Sequence, residues 1–272
     1  MPDLEPFLEA IQGLEYYIVA TTFALARMIG LMTIMPLFTR TRLTGVLRNG
    51  AAFAFAVPVI PMIAASLPQM EASAPLIILF MFKEVLIGLV LGLVLGVPFW
   101  AAEAAGEIVD LQRGSTMAAL LDPMMTQQTS PTGTLLGIVM LMIFLAAGGL
   151  ELILTLHYRS YEFWPMDQLT PQFGPEAAEI IIELLDRILG MAVLLMFPLI
   201  VGLLLSDIVL GFLTRASPHL NIFALSLVVK ALVFSVILVL YGSFLVHYMD
   251  GNISFMRDAS RYIELIACPT CI

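Results

Sequence analysis

A chain of 272 residues that is 60% hydrophobic and only 12% charged, with a mean hydropathy of +1.00, cannot build a water-facing surface of ordinary polarity. This excludes a soluble enzyme and points to an all-α, polytopic protein of the membrane class. The net charge of −9, with Lys and Arg scattered, excludes a nucleic-acid partner, because phosphate neutralisation needs clustered cations.

A membrane-crossing helix needs roughly 20 apolar residues, and six segments qualify as candidates: 16–38, 51–67, 76–102, 133–156, 180–205 and 222–249. Ahead of the first lie Asp3, Glu5, Glu9 and Glu15 without a basic residue, unlike the start of a cleavable signal. Arg27 sits within the first segment, and Arg40, Arg42 and Arg48 follow it. By the positive-inside tendency those three place the first loop in the cytoplasm. Pro58, Pro61 and Pro68 interrupt the second segment, so it cannot be one smooth helix. It is either a kinked span or a re-entrant piece packed by protein, which must satisfy the freed carbonyls.

The third segment carries Lys83 and Glu84 and then a ridge of Gly88, Gly92 and Gly96, whose spacing lets another helix backbone approach closely. That helix belongs to this chain or to a partner subunit. Neighbouring helical residues point about 100° apart, so Lys83 and Glu84 are each expected to have a partner of their own. From about 103 to 132 runs a central loop too polar to span and too apolar for a plain exposed connection. It holds Glu103, Glu107, Asp110, Gln112, Arg113, Gly114, Met117, Asp122, Pro123, Met124, Met125, Gln127, Gln128 and Pro131. Methionine is flexible and polarisable, suited to sealing around varied shapes.

Gly133 and Gly137 open the fourth segment and repeat the glycine spacing once. The loop after it carries Tyr158, Tyr161, Phe163 and Trp164, read as aromatics at a membrane interface. The fifth segment holds Asp186 and Arg187 and ends near Asp207, and Lys230 lies in the sixth. Ionisable groups in apolar segments should face a bundle interior, a partner chain or a watery cavity, as structural ion pairs or as a transport relay. A faint echo relates Arg27, Gly30 and Pro36 to Arg187, Gly190 and Pro198, but the gaps differ and no repeat is assigned.

No phosphate-binding glycine-lysine loop, dinucleotide fingerprint, zinc-protease motif or nucleophile elbow is present, so no catalytic residue is expected. His157, His219 and His247 lie far apart, each read as an ordinary interfacial histidine, and Cys268 with Cys271 cannot alone complete a tetrahedral zinc site. No metal or cofactor is expected.

Several stretches, in order, are similar to one family. They are Ala26-Arg27-Met28 leading to Pro36-Leu37-Phe38, Val46-Leu47-Arg48-Asn49, Lys83-Glu84-Val85-Leu86-Ile87-Gly88 and Ala105-Gly106-Glu107 through Gln112-Arg113-Gly114 to Leu121-Asp122-Pro123. Ser130-Pro131-Thr132-Gly133, Gly148-Gly149-Leu150, Ser160-Tyr161, Trp164-Pro165, Asp207-Ile208-Val209-Leu210-Gly211 and Arg215-Ala216-Ser217-Pro218-His219-Leu220-Asn221 complete the series, ending near Lys230. In this the chain resembles the export-apparatus proteins of type III secretion and flagellar systems, the SctT/FliR family, and more closely its injectisome branch.

The resemblance implies a non-enzymatic subunit of an export gate in the bacterial inner membrane, inside the basal body, contributing to virulence. Broken helices and hairpins would lie partly above the membrane plane. The implied partners are two smaller membrane subunits of SctR and SctS type, a switch protein of SctU type, a large gate protein of SctV type, membrane lipid and polypeptides in transit. It also implies that the stretch from about Val109 to Thr126 is a plug lying across the closed channel. The competing expectation is a small secondary transporter using Arg27, Lys83, Glu84 or Lys230 as its relay.

Overall fold

In a computed structural model, residues 5–40, 45–67, 74–114, 130–216 and 222–267 are described, and among them the chain forms ten α-helices, one 3-10 turn and no strand. The helices are α1 (Glu5–Ile34), α2 (Pro36–Arg40), α3 (Gly45–Ala56), α4 (Ile60–Ser66), α5 (Ala74–Arg113), α6 (Pro131–Ala146), α7 (Gly149–Phe163), α8 (Ala177–Ala216), α9 (Ile222–Arg257) and α10 (Ala259–Ala267). Five stretches are long and apolar enough to cross a membrane, or six if the broken pair α6 and α7 counts as one. The protein is thus a polytopic helical membrane protein.

Proline and glycine place the breaks. Pro36 opens α2, where a missing backbone donor does no harm. Pro58 and Pro61 stand in the first turns of the 3-10 turn Val57–Val59 and of α4, so the second segment stays helical across Gly45–Ser66. Tyr158 Oη donates to the Phe55 carbonyl at 3.0 Å, three residues before a ring nitrogen that has nothing to offer it. The fourth segment is broken: α6 ends at Ala146, and Gly148 takes a left-handed conformation (φ 82°) before α7 begins.

Other boundaries move outward from expectation. Residues 103–113, expected as loop, are the last three turns of α5, and α6 begins at Pro131, so the central connection is shorter than its composition suggested. Its charges occupy helix faces, which is why it looked too apolar for a loop. Helices α8 and α9 likewise run past residues 205 and 249.

The chain divides into two compact units. The first comprises residues 1–96, 148–182 and 256–272. In it α1 packs on α2, α3 and α4, and α10 on α7. Its core joins Ala20, Phe23 and Ala24 of α1 to Ile60, Ile63 and Ala64 of α4, Phe80 of α5 and Tyr161 of α7. The second comprises 97–147 and 183–255. There Val109 of α5 packs with Leu199 and Leu203 of α8 and Phe234 of α9, and Phe99 meets Phe144 edge-on with ring centres 5.3 Å apart. Helix α5 contributes its first half to one unit and its second half to the other.

Candidate functional site

Charged side chains reach into the interior of each unit. In the first unit, Arg27 of α1 and Lys83 and Glu84 of α5 are buried, with side chains 0%, 3% and 0% exposed. Arg27 Nε donates to Glu84 Oε2, Nη1 to Ser160 Oγ at 2.8 Å and Nη2 to the Trp164 carbonyl at 3.0 Å. The guanidinium carbon also lies 3.6 Å from the centre of the Tyr161 ring. Lys83 Nζ reaches the Pro165 and Gln168 carbonyls, both at 3.0 Å, and stands 3.0 Å from Glu84 Oε1.

Lys83 and Glu84 therefore do pair, contrary to expectation: the long lysine stem bends its ammonium back over the neighbouring carboxylate, which helical Cβ directions alone do not forbid. One carboxylate serves two cations, and the surplus positive charge is met by carbonyls at and beyond the C-terminus of α7. That is the negative end of the helix dipole, with carbonyls that have no partner inside the helix. The interface reading of the aromatics is corrected by the same geometry. Tyr161 and Trp164 are buried around Arg27, and Trp164 Nε1 donates to the Gln172 carbonyl at 2.9 Å. His157, read as interfacial, is fully buried as well, with neither ring nitrogen hydrogen-bonded.

The glycines explain how α1 and α5 come close enough. A Cβ on Gly88 would overlap the Arg27 carbonyl oxygen, one on Gly30 the Val85 carbonyl oxygen, and one on Gly92 would stand 2.7 Å from the Leu31 oxygen. The ridge thus packs on α1 of its own chain. Gly96 is buried at the end of the same unit. Gly30 completes the contact from the α1 side, and nothing in its sequence context beyond the faint echo with Gly190 sets it apart.

In the second unit Asp110, fully buried near the end of α5, receives four hydrogen bonds from described residues. Oδ1 accepts from Thr132 Oγ1 at 2.6 Å and from Arg113 Nη2 at 2.8 Å; Oδ2 accepts from Ser130 Oγ at 2.6 Å and from Thr132 N at 2.9 Å. Ser130 is itself the N-cap of α6, its Oγ accepting from Gly133 N at 2.8 Å. Gly106 makes the approach feasible, since a Cβ there would overlap the backbone of Gly133. Gly114 ends α5 in the left-handed region (φ 80°).

The same end of α5 is held by α8 and α9. Lys230 Nζ donates to the Gln112 carbonyl at 3.1 Å and pairs with Asp207 at 2.8 Å, while Gln112 Nε2 approaches Asp207 Oδ2 at 3.4 Å. The Arg113 guanidinium lies 4.5 Å from the Phe234 ring centre. Asp110, Gln112, Arg113 and Gly114 are therefore anchored helix end, not loop, while Met117, Asp122, Pro123, Met124 and Met125 lie outside the described residues. Sequence reasoning named Asp207 and Lys230 without their partner Gln112, and passed over Gly106, Ser130, Thr132 and Ser160 as contacts. The signal available was Ser-Pro-Thr-Gly, a capping residue before proline at a helix start.

These groups can neutralise charge, cap helix ends and hold connections. Among the described residues no group of three or more His, Cys, Asp or Glu gathers as a metal site would need.

The family of bacterial export proteins, family 1, matches residues 18–256. The chain is 36% identical to the Yop proteins translocation protein T of Yersinia pestis over 221 residues, 81% of this chain and 84% of that protein. It is 30% identical to the secretion system apparatus protein SsaT of Salmonella typhimurium over 247 residues, 90% of this chain and 95% of that one. With the flagellar biosynthetic protein FliR of Bacillus subtilis it shares 31% identity over 206 residues, covering 75% and 79%.

Proposed function

The chain belongs to the bacterial export proteins, family 1, on the injectisome side of the SctT/FliR family, and from that premise we propose that it is a non-enzymatic subunit of a type III secretion export gate. In this reading it helps to form and close the inner-membrane channel through which unfolded proteins leave. Its partners are gate subunits of SctR and SctS type, with the switch protein of SctU type and the large gate protein of SctV type nearby. The observation that carries the reading is the similarity to secretion-apparatus proteins along nearly the whole chain.

The buried cluster of the first unit favours this reading over a small-solute transporter. A relay residue must exchange protons or ions with a watery path, whereas Arg27, Lys83 and Glu84 are enclosed and committed to one another and to carbonyls. The bare apolar faces of α8 and α9, with Leu194, Phe197, Phe212, Val239 and Leu240 exposed, suit a subunit that lies against other subunits or lipid.

The plug role falls to the connection after Gly114, since the preceding residues are anchored helix. Deleting 115–122 leaves 123–129 to join α5 to α6. In the gate co-assembled with its partner subunits, this deletion should raise ion leakage while native mass shows the complex intact. An assembled gate that stays tight to ions after the deletion would sink the closing role.

A further inference from the structure

We infer that Asp110 is a positioning residue of the gate: its carboxylate ties the last turn of α5 to the first turn of α6 and so holds both attachment points of the 115–129 connection at one fixed separation. The inference rests on the export-gate reading and gives it a mechanical base.

An ionised carboxylate offers about four acceptor sites, and among the described residues Arg113, Ser130 Oγ and both Thr132 donors bond to it. Three of these come from the entry to α6 and one from the end of α5. Capping α6 does not require this, because Ser130 already accepts from Gly133 N as an ordinary N-cap. Ending α5 does not require it either, because Gly114 N bonds back to the Asp110 and Leu111 carbonyls. A fully buried charge is expensive to maintain unless paired and hydrogen-bonded. What the carboxylate adds beyond either cap is the bond between the two helix ends.

The surroundings make that bond rigid. Below it Gly106 and Gly133 bring the two backbones into contact, so the helices cannot close further. Beside it Lys230 grips the Gln112 carbonyl and Phe234 receives Arg113, fixing the α5 end to α9, while Gln112 Nε2 reaches Asp207 of α8. The negative charge also stands at the positive end of the α6 dipole, an attraction that weakens as the ends separate.

The test uses the whole co-assembled gate, with ion leakage read per assembled complex, secretion rate, and assembly by native mass. Asp110→Asn keeps the shape but turns an amide donor toward groups that are themselves donors. Thr132→Val removes one hydroxyl at nearly constant volume, and Thr132→Ser restores it. Leakage per complex should rise about tenfold in D110N, the factor that about 1.4 kcal/mol represents. It should rise less but in the same sense in T132V, and return to the unaltered level in T132S, with T132V assembling fully. A tight gate in both D110N and T132V, alongside a leaky 115–122 deletion, would overturn the positioning role and leave the plug standing. D110N failing to assemble while T132V assembles and stays tight would also overturn it, leaving Asp110 as a folding contact. A tight gate in the deletion itself would remove the reading beneath both.

Discussion

Arg27 with Glu84 in one unit, and Lys230 with Asp207 in the other, perform the same local task under opposite conditions. Each cation meets carbonyls near the end of a helix, α7 in the first case and α5 in the second, and each has a carboxylate beside it. The first pair is sealed at 0% exposure on both sides, whereas Asp207 keeps 37% and Lys230 14% of their side-chain surface. Burial changes what such a pair means. A sealed pair gains little over an apolar replacement of the same shape, yet losing one member strands a charge, so it acts as a condition of folding. An open pair is screened and exchangeable, so it can be altered without unfolding the protein.

Four substitutions probe this contrast. The largest effect is expected from Glu84→Gln, which removes the one carboxylate that pairs with Arg27 and Lys83 among the described residues. Breaking a buried pair in this way is destabilising by about 3–5 kcal/mol, so the chain should fail to accumulate in membranes or melt far earlier in detergent. Accumulation and melting like the unaltered protein would mean that water or lipid headgroups reach the cluster. Next come Gly88→Ala and Gly106→Ala, one in each unit, where a methyl group meets backbone atoms that cannot rotate away. Overpacking of this kind costs about 1–3 kcal/mol, and comparable drops in melting temperature are expected from both. A tolerated G106A would show the α5–α6 contact to be looser than the α1–α5 contact. The smallest effect belongs to Lys230→Met, roughly 1 kcal/mol or less after discounting for the exposed Asp207. Raising salt should narrow the gap between K230M and the unaltered chain while leaving the Glu84 effect in place.

What sequence alone could carry divides along the distance over which residues act. Proline effects are local, and an irregularity at Pro58, seen as the 3-10 turn Val57–Val59, was readable from the sequence, whereas the break at Gly148 falls inside a segment read as continuous from 133 to 156. Arg27, Lys83 and Glu84 were conspicuous because charge is rare in an apolar run. Their partners were not readable, since Ser160 lies 133 positions from Arg27 and Gln112 lies 118 from Lys230. The helical extension of α5 was hidden by composition. Charged residues on 103–113 lower the apolar signal, although Asp110 turns inward and Leu111 outward, the reverse of what polarity suggests. Tyr161 and Trp164 were misplaced for a related reason: a Tyr ring stacked on a buried guanidinium and a buried Trp whose Nε1 donates to a carbonyl have the same amphipathic chemistry as aromatics among lipid headgroups.

The scarcity of cover on α9 bears on the life of the chain in a cell. Only 6% of its most apolar window is buried by the protein itself. A protein neighbour that binds this helix only in the folded chain would add to stability by mass action, which lipid would not. Abundance then becomes a stoichiometric quantity. With such a neighbour, copies made in excess of it would have a smaller margin against unfolding and proteolysis.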